Sequence, residues 1–475
     1  MKKNYRNIIV LIFAVFALSS CKKFLEIQPE DKLIEEQVFT SAKNIKLYLN
    51  GSYVKLGGNT LYGENLTLTI PDILAQRYNM TPASGSGVNI YNSYATYAYG
   101  AVASKMAEIW TNAYSAIFNV NRFVDNINKY PGVLDARTDS TYRGEALAIR
   151  AMLHFDMLRL FGPIYNSADS TSSTIQMIPY ATSGEITVAP FFPANKIMDH
   201  IMADLGKAES LLSNDKSMSL ERKYKFTYYS VKALQARVNL YRGNKAEALA
   251  CALVVINSNK FTWVDKINIL NDKANPDKIF SNEMILGTYN PDLYKDGNGQ
   301  LKIFSSGLTD NNILAPKDER LTALFSPELT ADYRFSFQFW DAPATKPYKT
   351  FLKYADVEDK TKPFRNTIPL LKLSEMYYIA AECEPNMTIA SSYLTAVRSN
   401  RGINTSAFPV TATPAEILKE YQKEFFGEGQ LFYYYKRNNT ATIPNGSKVL
   451  DSDSPYAMTA AQYVVPIPST EITNR

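Results

Sequence analysis

Histidine is almost missing from this chain of 475 residues: His154 and His200 are the only two. Cysteine is scarce as well, with Cys21, Cys251 and Cys383, and no Cys or His residues stand close enough together to supply a structural zinc site. No loop has the oxygen-ligand spacing of an EF-hand, so no calcium or other metal is assigned. A nucleophile elbow, a Walker loop, a dinucleotide fingerprint and HExxH are all absent, and no catalytic residue or cofactor is assigned. Excess charge is also lacking. The formal net charge is +5; Lys2, Lys3 and Arg6 account for three of it, leaving +2. With no basic block or basic helix face, the electrostatic footprint of a nucleic-acid binder is missing, and no nucleic-acid partner is expected.

What is present begins at the N-terminus. Lys2, Lys3 and Arg6 precede the uninterrupted apolar run Ile8 to Leu18, and Ser19 and Ser20 follow it. That is the three-part pattern of a bacterial secretory signal, here residues 1–20. Its eleven apolar residues fall short of the roughly 17–25 that span a bilayer as a helix. Leu18-Ser19-Ser20-Cys21 matches a lipobox, in which the Cys21 thiol receives lipid and becomes the new N-terminus. Cys251 and Cys383 lie in the Ala-rich stretches "ALACALVV" and "IAAECEP". There, buried free thiols are the expected state; a disulfide between them is open to an exported protein.

Helical periodicity dominates the mature chain. Ile109, Ala113, Ala116, Val120, Phe123 and Ile127 recur at three- and four-residue steps before Pro131-Gly132. Ala146, Ile149, Leu153, Met157 and Leu160 make a second stripe, stopped by Gly162, expected to be left-handed, and Pro163. Ile197, Ile201, Leu205, Ala208 and Leu212 make a third. The clearest unit is "YYSVKALQARVNLYRGNKAEALACALVVINSN". Val231, Leu234, Val238 and Tyr241 form one face, Gly243-Asn244 turns the chain, and Ala246, Leu249, Leu253 and Ile256 form the other. This is a helical hairpin of the tetratricopeptide (TPR) type. A similar pair returns at "PLLKLSEMYYIAAECEPNMTIASSYLTAVRSNRGI", turning at Pro385-Asn386.

The expected fold is mostly α, a TPR-type helical-hairpin scaffold with irregular loops and short strands packed on one side. A single domain, 21–475, is expected. Its scaffold covers about 101–260 and 369–430, and loop-rich, ligand-side insertions cover about 56–100 and 262–368.

Taken in order, "CKKFLEIQP", "GEALAIRAMLHFDMLRLFGPI", "LYRGNKAEALACALVVI", "LLKLSEMYYIAAEC", "LTAVRSNRGI", "EYQKEFFGEGQLFYYYKR" and "YVVPIPSTEITN" resemble the SusD/RagB family. The resemblance reaches from Cys21 to the last few residues. It implies a non-catalytic, lipid-anchored protein on the outer-membrane surface. Such a protein captures a nutrient, usually a glycan and in RagB-type members a peptide, for a SusC-like TonB-dependent transporter. Gln430 and Tyr434 stand where family members often carry Arg and Asp. The resemblance makes those positions part of the scaffold, so the departures say nothing about ligand choice.

Sugars present apolar C–H faces and hydroxyl edges, which a binder meets with aromatic platforms and Asp, Asn, Gln or Arg partners. The chain holds 32 Tyr and 24 Phe against 3 Trp, a bias suited to rigid amphipathic contacts in loops. "YNSYATYAYG" brings Tyr91, Tyr94, Tyr97 and Tyr99 together. That run serves either as a stacking platform or as the edge of an element packed on the scaffold. Asp72, Arg77, Tyr78 and Asn79 precede it in "PDILAQRYNM". Tyr289, Asn290, Asp292 and Tyr294 in "TYNPDLYKDGNG", and Trp340 in "FQFWDAP", are the later candidates. Glu145 and Arg150 are read as an ion pair that fixes helix packing. Glu424 and Glu428 form a carboxylate pair of the kind a glycosidase uses, if they flank one sugar. His154 and His200 are read as structural.

Overall fold

The computed structural model describes residues 35–82, 87–165, 178–270, 272–295, 302–340, 344, 346–449 and 452–473. Cys21 and the signal segment lie outside these residues.

Helices longer than six residues are numbered α1 to α11. The scaffold comprises α1 (Ala42–Leu56), α2 (Ala103–Lys129), α3 (Ala136–Phe161), α4 (Ala194–Leu211), α5 (Tyr228–Tyr241) and α6 (Lys245–Ile256). After a short α7 (Asp318–Phe325) come α8 (Leu373–Cys383), α9 (Met387–Ser399), α10 (Pro414–Glu424) and α11 (Leu431–Arg437). Each scaffold helix from α2 to α6 packs on the next, and α6 then packs directly on α8, which pairs with α9. More than a hundred residues separate α6 from α8 in sequence. The two hairpins are thus consecutive layers of one stack, and the chain between them loops out of it.

Local chemistry sets the helix ends. Thr227 and Ser230 form a reciprocal capping box at the start of α5. Asp135 accepts from the backbone of Arg137 and Thr138 to start α3, and Asn386 does the same for α9. Gly243 turns α5 into α6 with φ +82°. The end of α3 departs from expectation: Gly162 is extended, with φ −80° and ψ 172°. Pro163 disfavours an α conformation in the residue before it. A Cβ at Gly162 would stand 2.6 Å from the Leu158 carbonyl oxygen, so glycine is needed for close approach, not for handedness. The buried Lys436 ammonium donates to the carbonyls of Arg159 (2.7 Å) and Gly162 (2.8 Å) and so caps that terminus.

The stripes on α2 and α4 are buried as the periodicity predicts, and two helices differ. From Gly144 to Phe161, α3 is buried on every side because it runs through the centre of the scaffold. Its polar groups are therefore all paired. Glu145 and Arg150 do sit in buried ion pairs, but with other partners. Glu145 takes Arg222 (2.7 Å) and the Tyr53 hydroxyl (2.9 Å), while Arg150 forks onto Asp204 with two bonds of 2.7 Å. On α6 the core face is Ala248, Cys251, Ala252 and Val255. The expected face, Ala246, Leu249, Leu253 and Ile256, is rotated off it, since the small residues let α6 approach its neighbours most closely. Cys251 and Cys383 are free, buried thiols, each pushed up to about 12, first by burial.

The loop-rich segments form a second layer with its own core. Leu68, Ile73 and Tyr78 from the early segment pack with Phe304, Leu314, Phe351 and Tyr354 from the later one, against Phe426. The later segment leaves and rejoins the scaffold through an antiparallel ladder of β1 (Met284–Tyr289) and β2 (Thr367–Lys372), and β2 runs straight into α8. Hydrogen bonds lace the segments together, among them Asn79 N–H to Ala315 O (2.8 Å), Ile90 N–H to Asn311 O (2.9 Å) and Asn89 Nδ2 to Ile313 O (2.8 Å).

Fully buried ion pairs bind the layers to each other. Arg401 at the end of α9 forks onto Glu283 just before β1 and onto Glu424 of α10. Arg334 of the loop layer reaches Asp332 and Glu420, and Arg398 joins Glu328 to Glu420. Gly402, with φ +88°, ends α9 beside this cluster. A Cβ there would meet Tyr333 Cε1 at 2.4 Å and Ala331 O at 2.5 Å. Gly402→Ala combines left-handed strain with overpacking. A loss of about 2–4 kcal/mol, read as a lower urea midpoint with unchanged m, is the expected result.

Candidate functional site

Where the early and later loop segments meet, they leave an open cleft of about 360 Å³. The chain fixes its polar groups from below. Asn79 closes an Asx turn, accepting from Thr81 N–H (3.0 Å) and donating to Thr81 O (2.7 Å). Met80 N–H donates to Ser447 Oγ (2.8 Å), which brings the 440–449 stretch to the rim. Asp310 Oδ1 accepts from the Tyr348 hydroxyl (2.8 Å) and from Lys346 Nζ (2.7 Å). Asp318 opens α7 and accepts from Lys349 N–H (2.8 Å). Glu319 is exposed beside it, and Pro347 and half-buried Tyr348 add apolar surface.

Burial, then the Asp310 carboxylate, holds the Tyr348 phenol well above its ordinary range, so at neutral pH it stays a donor fixed on Asp310. The result is a shallow surface of carboxylate, amide and hydroxyl groups beside one aromatic ring and three prolines. It is suited to hydrogen-bonding a polyhydroxylated ligand.

Of the sequence candidates whose side chains are described, Asn79 alone lines this cleft. Arg77 turns the other way, into the wall of a neighbouring cavity. Its guanidinium lies 4.7 Å over the Phe426 ring and donates to the backbone of Gln422 and Tyr421. Asp72 is fully buried and accepts from Gly427 N–H (2.6 Å); burial raises its carboxyl to about 6, with Arg77 pulling against it. Tyr78 is core, edge-on to Phe426. Asn290 is buried and donates to Asn59 (2.7 Å).

In the tyrosine run, Tyr97 is buried with its hydroxyl on Leu74 O (2.8 Å), and Tyr99 is buried against Gln462. Tyr91 and Tyr94 are half-buried and tilted together at 6.3 Å. Tyr289, 49% exposed, stands edge-on to Tyr224 at the end of β1. Asp292 is exposed with Lys295 at 3.5 Å, and Arg365 covers the Tyr294 ring at 5.0 Å. Trp340 pairs with Thr350 in a short ladder, and its side chain lies outside the described residues.

The sequence reading missed Asp310, Asp318 and Tyr348. The signal for Asp318 and Tyr348 is a cluster of charge and proline in "LAPKDER" and "TKPYKT" within the loop segment.

The other chemically suggestive residues have structural work. Glu424 binds Arg401 and Lys372, and Glu428 binds Lys353 and Lys372, all within side chains at most 4% exposed. That enclosure leaves no room for a sugar between them. His154 accepts from Ala181 N–H at Nε2 (3.0 Å), so Nδ1 carries the proton and donates to Arg150 O (2.9 Å). Its imidazole lies 3.9 Å from the Tyr180 ring, and burial lowers it to about 3. His200 is exposed and stacks on the opposite side of the same cluster, 5.0 Å from Tyr180.

The SusD-like family described as "Starch-binding associating with outer membrane" matches residues 23–240. SusD-like protein P38 of Formosa agariphila is 25% identical over 361 residues, 69% of this chain. Over residues 23–240 the chain is SusD-like.

Its matches to P38 and to two further F. agariphila SusD-like proteins span 63%, 53% and 47% of those proteins' lengths. Solved structures share the fold over nearly the whole molecule. A SusD superfamily protein from Bacteroides thetaiotaomicron superposes with a TM-score of 0.74 at 24% identity, covering 91% of this chain and 98% of that one. Surface glycan-binding protein A from B. thetaiotaomicron gives 0.70 at 17% identity, over 92% and 98%.

The two departures in this SusD-like chain are accommodated inside the scaffold. Gln430 accepts from Arg159 (3.1 Å) ahead of α11. Tyr434 lies 4.9 Å from Tyr421, under the Arg437 guanidinium.

Proposed function

We propose that this SusD-like protein is a cell-surface nutrient receptor that binds an oligosaccharide or polysaccharide in the cleft between its loop segments. It delivers that ligand, without breaking a bond, to a SusC-like TonB-dependent transporter in the outer membrane. The observation that carries this reading is the cleft itself. Loops from both insertions converge on it, and Asp310, Tyr348 and Asn79 are fixed by hydrogen bonds before any ligand arrives, which cuts the ordering cost of binding. The glycan-binding description of a protein with the same fold supports the choice of ligand class.

In this reading residues 1–20 are removed and 21–475 fold as one domain. Acyl chains on Cys21 hold it to the membrane at about 0.8 kcal/mol per buried methylene, with more than one chain for a lasting anchor. The test applies the mature chain to glycan and peptide arrays, alongside the double variant Asp310→Asn/Tyr348→Ala. Glycan binding by the mature chain, weakened at least about tenfold in a variant with an unchanged melting temperature, is the expected outcome. Binding to peptides and to no glycan would instead make it a peptide-capturing, RagB-like protein. Equal glycan binding by both forms would remove the cleft from the function.

A further inference from the structure

Beside the cleft lies a second cavity, of about 460 Å³, and Pro316 lines both. Its volume falls in the roughly 300–1,000 Å³ range of small-ligand sites. The two hollows follow the same three stretches of chain, 75–82, 315–324 and 440–449, so they form one groove with a ridge across it. A ligand seated in the cleft reaches the second hollow by crossing Pro316.

The two hollows offer different surfaces. The cleft presents carboxylate, amide and hydroxyl groups. In the second hollow, Leu321 and Leu324 of α7, Leu418 of α10 and Leu431 of α11 stand beside Pro316 and Pro444. The buried polar side chains of the same lining are turned onto the protein. Gln76 is satisfied at both ends: Nε2 donates to Ala95 O (2.5 Å) and Oε1 accepts from Gly446 N–H (3.4 Å). Arg77 donates to the carbonyls of Gln422 and Tyr421, and the Tyr435 hydroxyl accepts from Gln422 Nε2 (3.1 Å). Arg320 is engaged as well. Leu324 and Leu418 are only half-buried, so apolar surface is left for an occupant to cover.

A bare sugar matches such a hollow poorly. It carries a hydroxyl on nearly every ring carbon, and a hydroxyl buried without a partner is penalised. An apolar group on the same ligand gains from the burial instead. Lys419 donates to Ser326 O (2.9 Å), and an ammonium has further N–H bonds to give. Those suit the carbonyl oxygen of an ester that joins the apolar group to the sugar.

We infer that the second hollow is a subsite for an apolar acyl group, esterified to a sugar unit that lies in the cleft. This rests on the carbohydrate reading of the cleft and narrows it to acylated glycans. An acetyl group fills little of a hollow this size, so an aromatic acyl group is the better occupant.

The experiment uses an array of neutral oligosaccharides in three forms: unesterified, O-acetylated and O-cinnamoylated. It compares the mature chain with Ala323→Trp, Ala415→Trp and Asp310→Asn/Tyr348→Ala. Ala323 and Ala415 line the hollow and are exposed, so either indole fills it with little disturbance beneath, which the melting temperature checks. The mature chain is expected to bind a cinnamoylated oligosaccharide at least about tenfold tighter than its unesterified counterpart, with the acetylated form between them. A Trp variant that melts like the parent is expected to bind all three forms within about twofold of one another. Methyl cinnamate in solution is expected to abolish the same margin in the mature chain.

A margin that survives both in such a Trp variant and in methyl cinnamate overturns the subsite. So does a mature chain that binds the cinnamoylated and unesterified forms equally. In either case the carbohydrate reading stands if the cleft variant has lost binding to the unesterified form. Binding to no oligosaccharide in any form overturns both.

Discussion

Arg401→Ala is expected to cost about 3–5 kcal/mol of folding stability, a large share of what a folded domain has, because it strands a buried carboxylate. Arg401 is fully buried, bonded to both oxygens of Glu283 at 2.7 and 2.6 Å and to both of Glu424 at 2.7 and 3.0 Å. Its guanidinium also lies 4.2 Å over the Phe280 ring. Glu424 keeps Lys372 at 2.9 Å and Arg334 at 3.3 Å after the change. Among the described residues, Glu283 then keeps a 3.3 Å bond from Val264 N–H and the longer-range attraction of Lys372 to set against its desolvation.

Lysine cannot restore the fork, because a point charge does not serve two carboxylates in bidentate fashion. Arg401→Lys should therefore recover only part of the loss. Arg401→Met with Glu283→Gln, which removes both members of the stranded pair, should lose less than Arg401→Ala alone. Urea unfolding of the three variants checks the order. A loss below about 1 kcal/mol in Arg401→Ala would show that the cluster does not hold the layers together.

The placement of these pairs ties stability to binding. Glu283, Glu328, Asp332 and Arg334 belong to the later loop segment, and their partners Arg398, Arg401, Glu420 and Glu424 lie on the scaffold near α9 and α10. The groove sits on that same loop segment and on α10. The charges therefore fix the layer carrying the candidate ligand groups against the helices beneath it. A buried ion cluster is a costly way to gain stability and a directional way to fix one arrangement, which is the demand a preformed groove makes.

The helices were readable from sequence because burial on one side writes a 3.6-residue period into the chain, as on α2 and α4. Two features carried no such period. In α3, total burial erases the contrast between faces, so the stripe of Ala146, Ile149 and Leu153 understated how deeply the helix lies. On α6, small residues face the core and larger ones flank it, so a search for large apolar residues turned the helix the wrong way. The direct contact of α6 with α8 is non-local and leaves no local signature.

The groove was harder still. Loop residues show no periodicity, and residue type alone could not separate Tyr78, deep in the second core, from Tyr348, at the cleft. Arg77 and Asn79 are two positions apart, yet they line different hollows.

Acid should unfold this protein steeply below about pH 4.5, with stability nearly flat or slightly rising as the pH falls from 7 to 5. Burial alone would raise the Glu420 carboxyl, but Arg334, Lys423 and Arg398 outweigh it and bring it down to about 2. Glu424 is also held well below its ordinary range: Arg401 and Lys372 overcome its burial. A carboxyl depressed in the folded state contributes stability that is complete above its unfolded value and is lost as the pH falls through its folded one. For Glu420 that window runs from 4.5 to about 2, and the drop corresponds to about 3 kcal/mol.

Asp72 and Asp277 act the other way. Burial raises both to about 6, so the folded protein takes up protons between about 6 and 3.8 and gains from it. Denaturant melts at pH 7, 5, 4 and 3 read the curve. Glu420→Gln should be less stable than the parent at pH 7, with the difference closing as the pH falls below 4.5. Parallel curves for the two proteins down to pH 3 would mean that Glu420 is not held low by its cations, and that the buried cluster is not what acid undoes.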